Sequence, residues 1–101
     1  MSASPNQPAE LDPLVNPPTR LMLMTMLTAV SEAEFAVVRD RLDVSDSVLS
    51  KHVSALAAAD YVSSRKGMHQ GRRTTWLGLT RTGRAALDAH VAALRALIDG
   101  I

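Results

Sequence analysis

The chain has 101 residues, 47% of them hydrophobic, with a formal net charge of +1. That length suits one domain with a small core, for which a partner subunit is a natural supplement. It has no cysteine, which excludes disulfides and thiolate chemistry and fits a cytoplasmic protein.

No apolar run approaches the 18 residues of a membrane span, and "MSASPNQPAELDP" lacks the basic and apolar regions of a signal peptide. No membrane association is expected. Arginine outnumbers lysine and alanine is abundant, a composition that points to a GC-rich bacterial genome. All five prolines fall within residues 1–18. That stretch reads as an arm, disordered at its start and packed around Leu11 to Val15, with the folded unit over 19–101.

Thr19 is placed to cap a first helix. Leu21, Met24 and Leu27, with Met22, Met26 and Val30, recur at three- and four-residue steps, so this helix is expected to be buried around much of its girth. Its methionines read as adaptable core filler. Ser31 and Glu34 form the S-x-x-E pattern of a capping box opening a second helix. Phe35, Val38 and Leu42 make its inner stripe, and Arg39, Asp40, Arg41 and Asp43 its wet side. "LDVSD" breaks that helix, Val44 fills the angle, and Ser45 is a good N-cap for a third.

In the third helix Leu49, Val53 and Leu56 face one way, while Ser47, Ser50, Lys51 and Ser54 gather on another. A solvated helix face ordinarily mixes Glu with Lys. Here the only acid is Asp46, at the start. His52 is turned about 100° from Lys51 and reads as a packed or backbone-bonded histidine. The period then changes: Val62 and Ser63 begin a strand, and Leu77 and Leu79 alternate with Trp76 and Gly78 in a second. Gly67 and Gly71 flank the turn, which predicts a hairpin with a longer loop at its tip. Thr80 caps a last helix, in which Leu87, Val91, Leu94, Ile98 and Ile101 step by 4, 3, 4 and 3. That is a heptad-like seam, expected to be an exposed apolar stripe in a monomer and the interface of a homodimer.

Three helices, a hairpin and a long terminal helix make the layout of a winged helix-turn-helix, mainly α with a small β-hairpin. Between Tyr61 and Leu87 stand six basic residues, Arg65, Lys66, Arg72, Arg73, Arg81 and Arg84, and no acid. Such a cluster attracts phosphate by releasing condensed counterions. Serines can donate to phosphate oxygens or base edges, and Lys51 can reach a phosphate or a guanine edge. The third helix is therefore expected to meet double-stranded DNA.

At these residues the chain resembles the bacterial winged-helix regulators of the MarR/ArsR type. The resemblance rests on "PTRLMLMTML" at 18–27, "EFAVVRDRLDVSDSVLSKHVSALAAADYV" at 34–62 and "TTWLGLTRTGRAAL" at 74–87. Its most specific parts are S-x-x-x-L-S-K-H-V-x-x-L and L-T-x-x-G-R, and it covers about residues 12–98. It implies that Ser45, Ser47, Ser50, Lys51 and Ser54 lie on a recognition helix (about 46–59) and Arg72 and Arg73 on the wing; Arg65 and Lys66 are expected to bind DNA with them as part of a basic wing over about 65–73. It also implies a homodimer on a palindromic operator, repressing transcription, with helices near the two chain ends forming the dimer.

Many ArsR-type sensors carry recognition-helix cysteines, which are absent here. Asp88 and His90 match the D-x-H of a terminal-helix metal pattern, but the next ligand falls at Ile101 and the last beyond the chain. Two ligands do not hold zinc, so no metal or cofactor is expected. Asp88 is instead expected to pair with Arg84 or Arg95, and His90 to lie near the seam. The length leaves little room for the drug pocket of larger MarR proteins. No nucleotide-loop, zinc-protease or triad-like pattern supports an enzyme. The rival reading is a winged-helix interaction module whose basic hairpin docks an acidic protein.

Overall fold

The computed structural model describes residues 10–100. The expected disorder at the start of the arm, and Ile101 in the seam, lie outside them. The elements run α1 (Pro18–Leu27), β1 (Ala33–Glu34), α2 (Phe35–Leu42), α3 (Asp46–Ala58), β2 (Val62–His69), β3 (Arg72–Leu79) and α4 (Arg81–Asp99). The strands form one antiparallel sheet in the order β1-β3-β2.

α1 opens on Pro18, not on a Thr19 cap. Proline's fixed φ and missing N–H suit the first helical position, where the amide has no helical partner anyway. Leu23, Met24 and Leu27 are fully buried, while Met22 is exposed. The expected capping box at Ser31 and Glu34 does not form. Glu34 precedes α2 without a side-chain cap, because the chain there is extended and paired: Ala33 lies opposite Leu77 and Glu34 opposite Trp76. α2 ends at Asp43, whose φ of 55° reverses the chain. α3 is capped as expected, with Ser45 Oγ accepting from the Val48 amide at 3.2 Å. Leu49, Val53 and Leu56 enter the core beside Val38.

The hairpin departs from the expected long loop. Gly67 is a strand residue opposite Thr74, and the pairing continues to His69 opposite Arg72. The turn is Gln70–Gly71, with φ of 51° and 79°. Two positive φ values in a two-residue turn match the right-handed twist of the flanking strands. Arg72 and Arg73 therefore sit on a strand. Gly67 is glycine for another reason: a Cβ there would lie 2.9 Å from both the Trp76 ring and the Arg65 guanidinium.

From residue 10 the arm is packed. Asp12 organises a turn, its carboxylate accepting from the Leu14 amide at 2.8 Å and from Tyr61 Oη at 2.7 Å. The Asp12 amide donates to His90 Nδ1 at 2.9 Å, and Val15 is fully buried. His90 is 1% exposed, and its Nε2 has no partner among the described residues. It is buried beneath the arm. Asp88 is exposed and pairs with neither Arg84 nor Arg95 among the described residues.

The seam on α4 divides. Leu87 belongs to the chain's own core and Val91 packs against it, so neither is part of an exposed stripe. Leu94 is half-buried. Beyond it, Leu97 and Ile98 are 59% and 65% exposed.

The start of α4 is the tightest joint. Thr80 Oγ1 accepts from the Gly83 amide at 2.8 Å and donates to the Asp60 carbonyl. A Cβ on Gly83 would stand 2.0 Å from the Tyr61 carbonyl oxygen, a backbone atom that cannot swing aside. Gly83→Ala is thus expected to destabilise the fold by roughly 1–3 kcal/mol or more, the range for overfilling a packed site. Urea denaturation at neutral pH measures this, and an unchanged midpoint would show that the joint yields.

Candidate nucleic-acid interface

α3 turns Ser47, Ser50, Lys51 and Ser54 to solvent while Leu49, Val53 and Leu56 hold it to the core. Ser45 Oγ is occupied by its cap and lies 3.2 Å from Ser47 Oγ. Asp46, the only acid on this helix, is neutralised across the turn by Arg39, whose guanidinium reaches Asp46 at 2.9 Å and Asp40 at 2.9 Å. The exposed face keeps Lys51 as its net charge.

His52 faces α1, where Arg20 Nε donates to its Nδ1 at 3.0 Å. Arg20 also reaches the Leu14 carbonyl of the arm at 3.4 Å. Burial first, and the Arg20 charge second, push the His52 pKa below its ordinary value. Accepting from Arg20 requires an unprotonated Nδ1, so His52 is a packing residue beside Lys51.

The wing is where strand geometry redistributes the charge. Side chains alternate between faces, and directly opposed residues share one. Val62, Leu77 and Leu79 mark the inner face, which continues outward through Ser64, Lys66 and Thr75 to Met68 and Arg73. The other face carries Arg65, Gly67, His69, Arg72, Thr74 and Trp76. A cleft lined by Ser50, Val53 and Ser54 of α3 and by Ser64 and Thr75 of the sheet separates α3 from the inner face. Lys66 and Arg73 therefore extend the α3 side, and Arg65 and Arg72 point away from it.

Arg65 is also committed elsewhere. Its Nε and Nη2 each meet a Glu32 carboxylate oxygen at 2.7 Å, and this fork holds the Glu32 carboxyl below its ordinary pKa. Arg65 lies 5.8 Å from the Trp76 ring. Trp76 meets His69 edge-on at 5.7 Å, and His69 Nε2 is 3.2 Å from Glu34. The wing carries no acid of its own, but Glu34 of β1 and Glu32 just before it come to its outer face. A stretch-by-stretch charge count could not find them, because Glu32 and Glu34 lie about thirty residues upstream. Arg65 thus differs from the other wing cations in being held by Glu32.

Among the described residues no group of three or more His, Asp or Glu is placed to hold a metal ion. No helix among them is long and apolar enough to cross a membrane.

The profile of the winged helix DNA-binding domain family matches residues 19–98. A transcriptional regulator homologue from Pyrococcus horikoshii has a similar structure, with a TM-score of 0.80 and 26% identity over 86% of each chain. A possible transcriptional regulator for arsenical resistance superposes with a TM-score of 0.60 at 29% identity, covering 86% of this chain and 78% of its own. In sequence the chain is also 24% identical to an uncharacterized protein of Methanocaldococcus jannaschii, over 77% of this chain and 85% of that one.

The Arg20–His52 contact generates a pH prediction. A histidine depressed in the folded chain binds its proton more readily when unfolded. Its contribution is present above the ordinary histidine pKa of about 6.5 and is lost as pH falls below it towards the folded value. His52→Gln keeps an acceptor for Arg20 and removes the titration. The variant is expected to lose less stability than wild type between about pH 7 and pH 5.5. The Glu32 contribution stays outside this window, since its carboxyl titrates below 4.5. Urea midpoints at both pH values test this, and equal losses in the two proteins would contradict it.

Proposed function

Because the chain belongs to the winged helix DNA-binding domain family and is a DNA-binding regulator of the MarR/ArsR-like type, we propose that it is a repressor that binds a palindromic operator as a homodimer. One observation carries the mode of binding. The exposed α3 face has Lys51 and no unpaired acid, and across the cleft the inner face of the wing adds Lys66 and Arg73.

In this reading α3 enters the major groove. Its serines are short enough to let the helix approach, and Lys51 reaches a base edge or phosphate. Lys66 and Arg73 follow the flanking backbone, and Arg72 adds charge beside the Gln70–Gly71 tip. Phosphate contacts position the protein without reading sequence, whereas base-edge contacts specify it. The dimer is supported by the apolar end of α4. Leu94, Leu97 and Ile98 sit at the distal end of a 19-residue helix, and covering side chains of this size is worth about 1.5–3 kcal/mol each when complete. A two-fold pairing of these ends would present two recognition helices to two half-sites.

Selection of bound duplexes from a random pool identifies the operator. Against that operator, Lys51→Ala should cost about 1–3 kcal/mol of discrimination and affect random DNA less. Arg73→Ala should weaken operator binding and reduce the salt slope by about one per protomer. Unchanged DNA binding in both variants would favour the interaction-module alternative, a basic hairpin docked on an acidic protein.

The dimer has its own test. Ile98→Glu leaves the core untouched, and at micromolar concentration it should sediment as a monomer that still folds but binds the operator far more weakly. A wild-type chain that is itself monomeric under the same conditions would contradict this assembly.

A further inference from the structure

The outer face of the wing contains a connected set of side chains that DNA contact does not explain. Glu32 grips Arg65 through two 2.7 Å bonds, and Arg65 lies against Trp76. Trp76 meets His69, and His69 returns to Glu34. The set closes over Gly67, whose missing Cβ is what lets the ring and the guanidinium lie on the backbone. A two-stranded ribbon that projects from a core is at best marginally ordered by its own hydrogen bonds. This set ties the ribbon to β1, and Glu34 at the end of β1 is the residue from which α2 starts.

We propose that Arg65 is a positioning residue: with Glu32, Trp76, His69 and Glu34 it forms a rib that fixes the angle of the wing to the recognition helix and thereby sets selectivity among DNA sequences. The proposal rests on the DNA-binding reading above and deepens it. A wing held at one angle keeps Lys66 and Arg73 on the α3 side, where their reach to the backbone depends on the register of α3 in the groove. A freely hinged wing would place the same charges on any duplex, and the operator would lose its advantage.

Three variants distinguish the rib from a phosphate contact. Arg65→Lys keeps the cation and loses the planar fork. Arg65→Gln loses both, and Glu32→Gln loses the acceptor while leaving Arg65 intact. The rib predicts that all three lower the ratio of operator to random-DNA affinity by about three- to tenfold. It also predicts that the salt slope is unchanged, and that the double variant Glu32→Gln/Arg65→Gln is no worse than either single one. A phosphate contact predicts the reverse. Arg65→Lys would then behave as wild type, Glu32→Gln would bind all DNA more tightly, and Arg65→Gln would flatten the salt slope by about one per protomer. That pattern overturns the proposal.

Trp76 is the chain's only tryptophan, so its emission reports on the rib without DNA. Acrylamide quenching should rise in Arg65→Lys and Glu32→Gln, with far-ultraviolet circular dichroism unchanged. Unaltered quenching would overturn the proposal whatever the DNA results. A wild-type chain that binds no duplex would instead sink the DNA-binding reading and the selectivity role with it, and the quenching would still decide whether the rib orders the wing.

Discussion

Gly83 has no side chain because the Tyr61 carbonyl occupies the place of one. That carbonyl also accepts from the Thr80 amide at 3.1 Å, and the Tyr61 amide donates to Leu56 at 2.9 Å. The Tyr61 hydroxyl holds Asp12, which in turn bonds His90. Through one residue the end of α3, the base of the wing, the start of α4 and the arm are joined. The Asp12 carboxylate, accepting a hydrogen bond from the hydroxyl, also pushes the Tyr61 pKa up. Neither the direction of α3 nor that of α4 can change without breaking this joint. A regulator that reads DNA with α3 and pairs through α4 would require such rigidity, because half-site spacing is set by the geometry between the two helices.

The wing obeys a different constraint. Pairing runs to the two-residue turn at Gln70–Gly71, so each side chain is assigned to a face by its parity in the strand. That assignment separates cations which look equivalent along the chain. Lys66 and Arg73 join the face of Ser50 and Ser54, whereas Arg65 is drawn to Glu32 on the opposite side. The exposed ion pair adds little stability by itself. Its effect is geometric, since a bidentate fork fixes orientation as well as proximity.

Much of the architecture was legible in the order of residues. The Ser45 cap, the Leu49–Val53–Leu56 stripe and the Thr80 cap are local patterns, and local patterns survive folding. β1 was not legible, because two residues in a strand carry no period and their pairing with Leu77 and Trp76 is settled more than forty residues away. The same short strand cancelled the apparent capping box and set beside the wing the acids that meet Arg65 and His69. Gly67 looked like a turn residue. It is a packing residue, and glycine alone cannot separate close approach of side chains from positive φ. The α4 seam looks like one stripe in sequence because heptad spacing does not say which turn leaves the core. Leu87 and Val91 remain inside it, while Leu97 and Ile98 lie beyond it. Gly83 was present in the L-T-x-x-G-R pattern, but its reason lies in Tyr61, twenty-two residues earlier.

The central claim is that DNA lies across the exposed face of α3 and the inner face of the wing. The most direct measurement is a titration of the isotope-labelled chain with duplex DNA, following backbone amides and the Lys and Arg side-chain resonances. The account predicts that the large shifts fall on residues 46–54, on Lys66 and on Arg73. The Arg65 guanidinium should keep its contact with Glu32 in the bound state. Shifts confined to α1, to the distal end of α4 or to the Glu32–Trp76 face, with α3 silent, would contradict it.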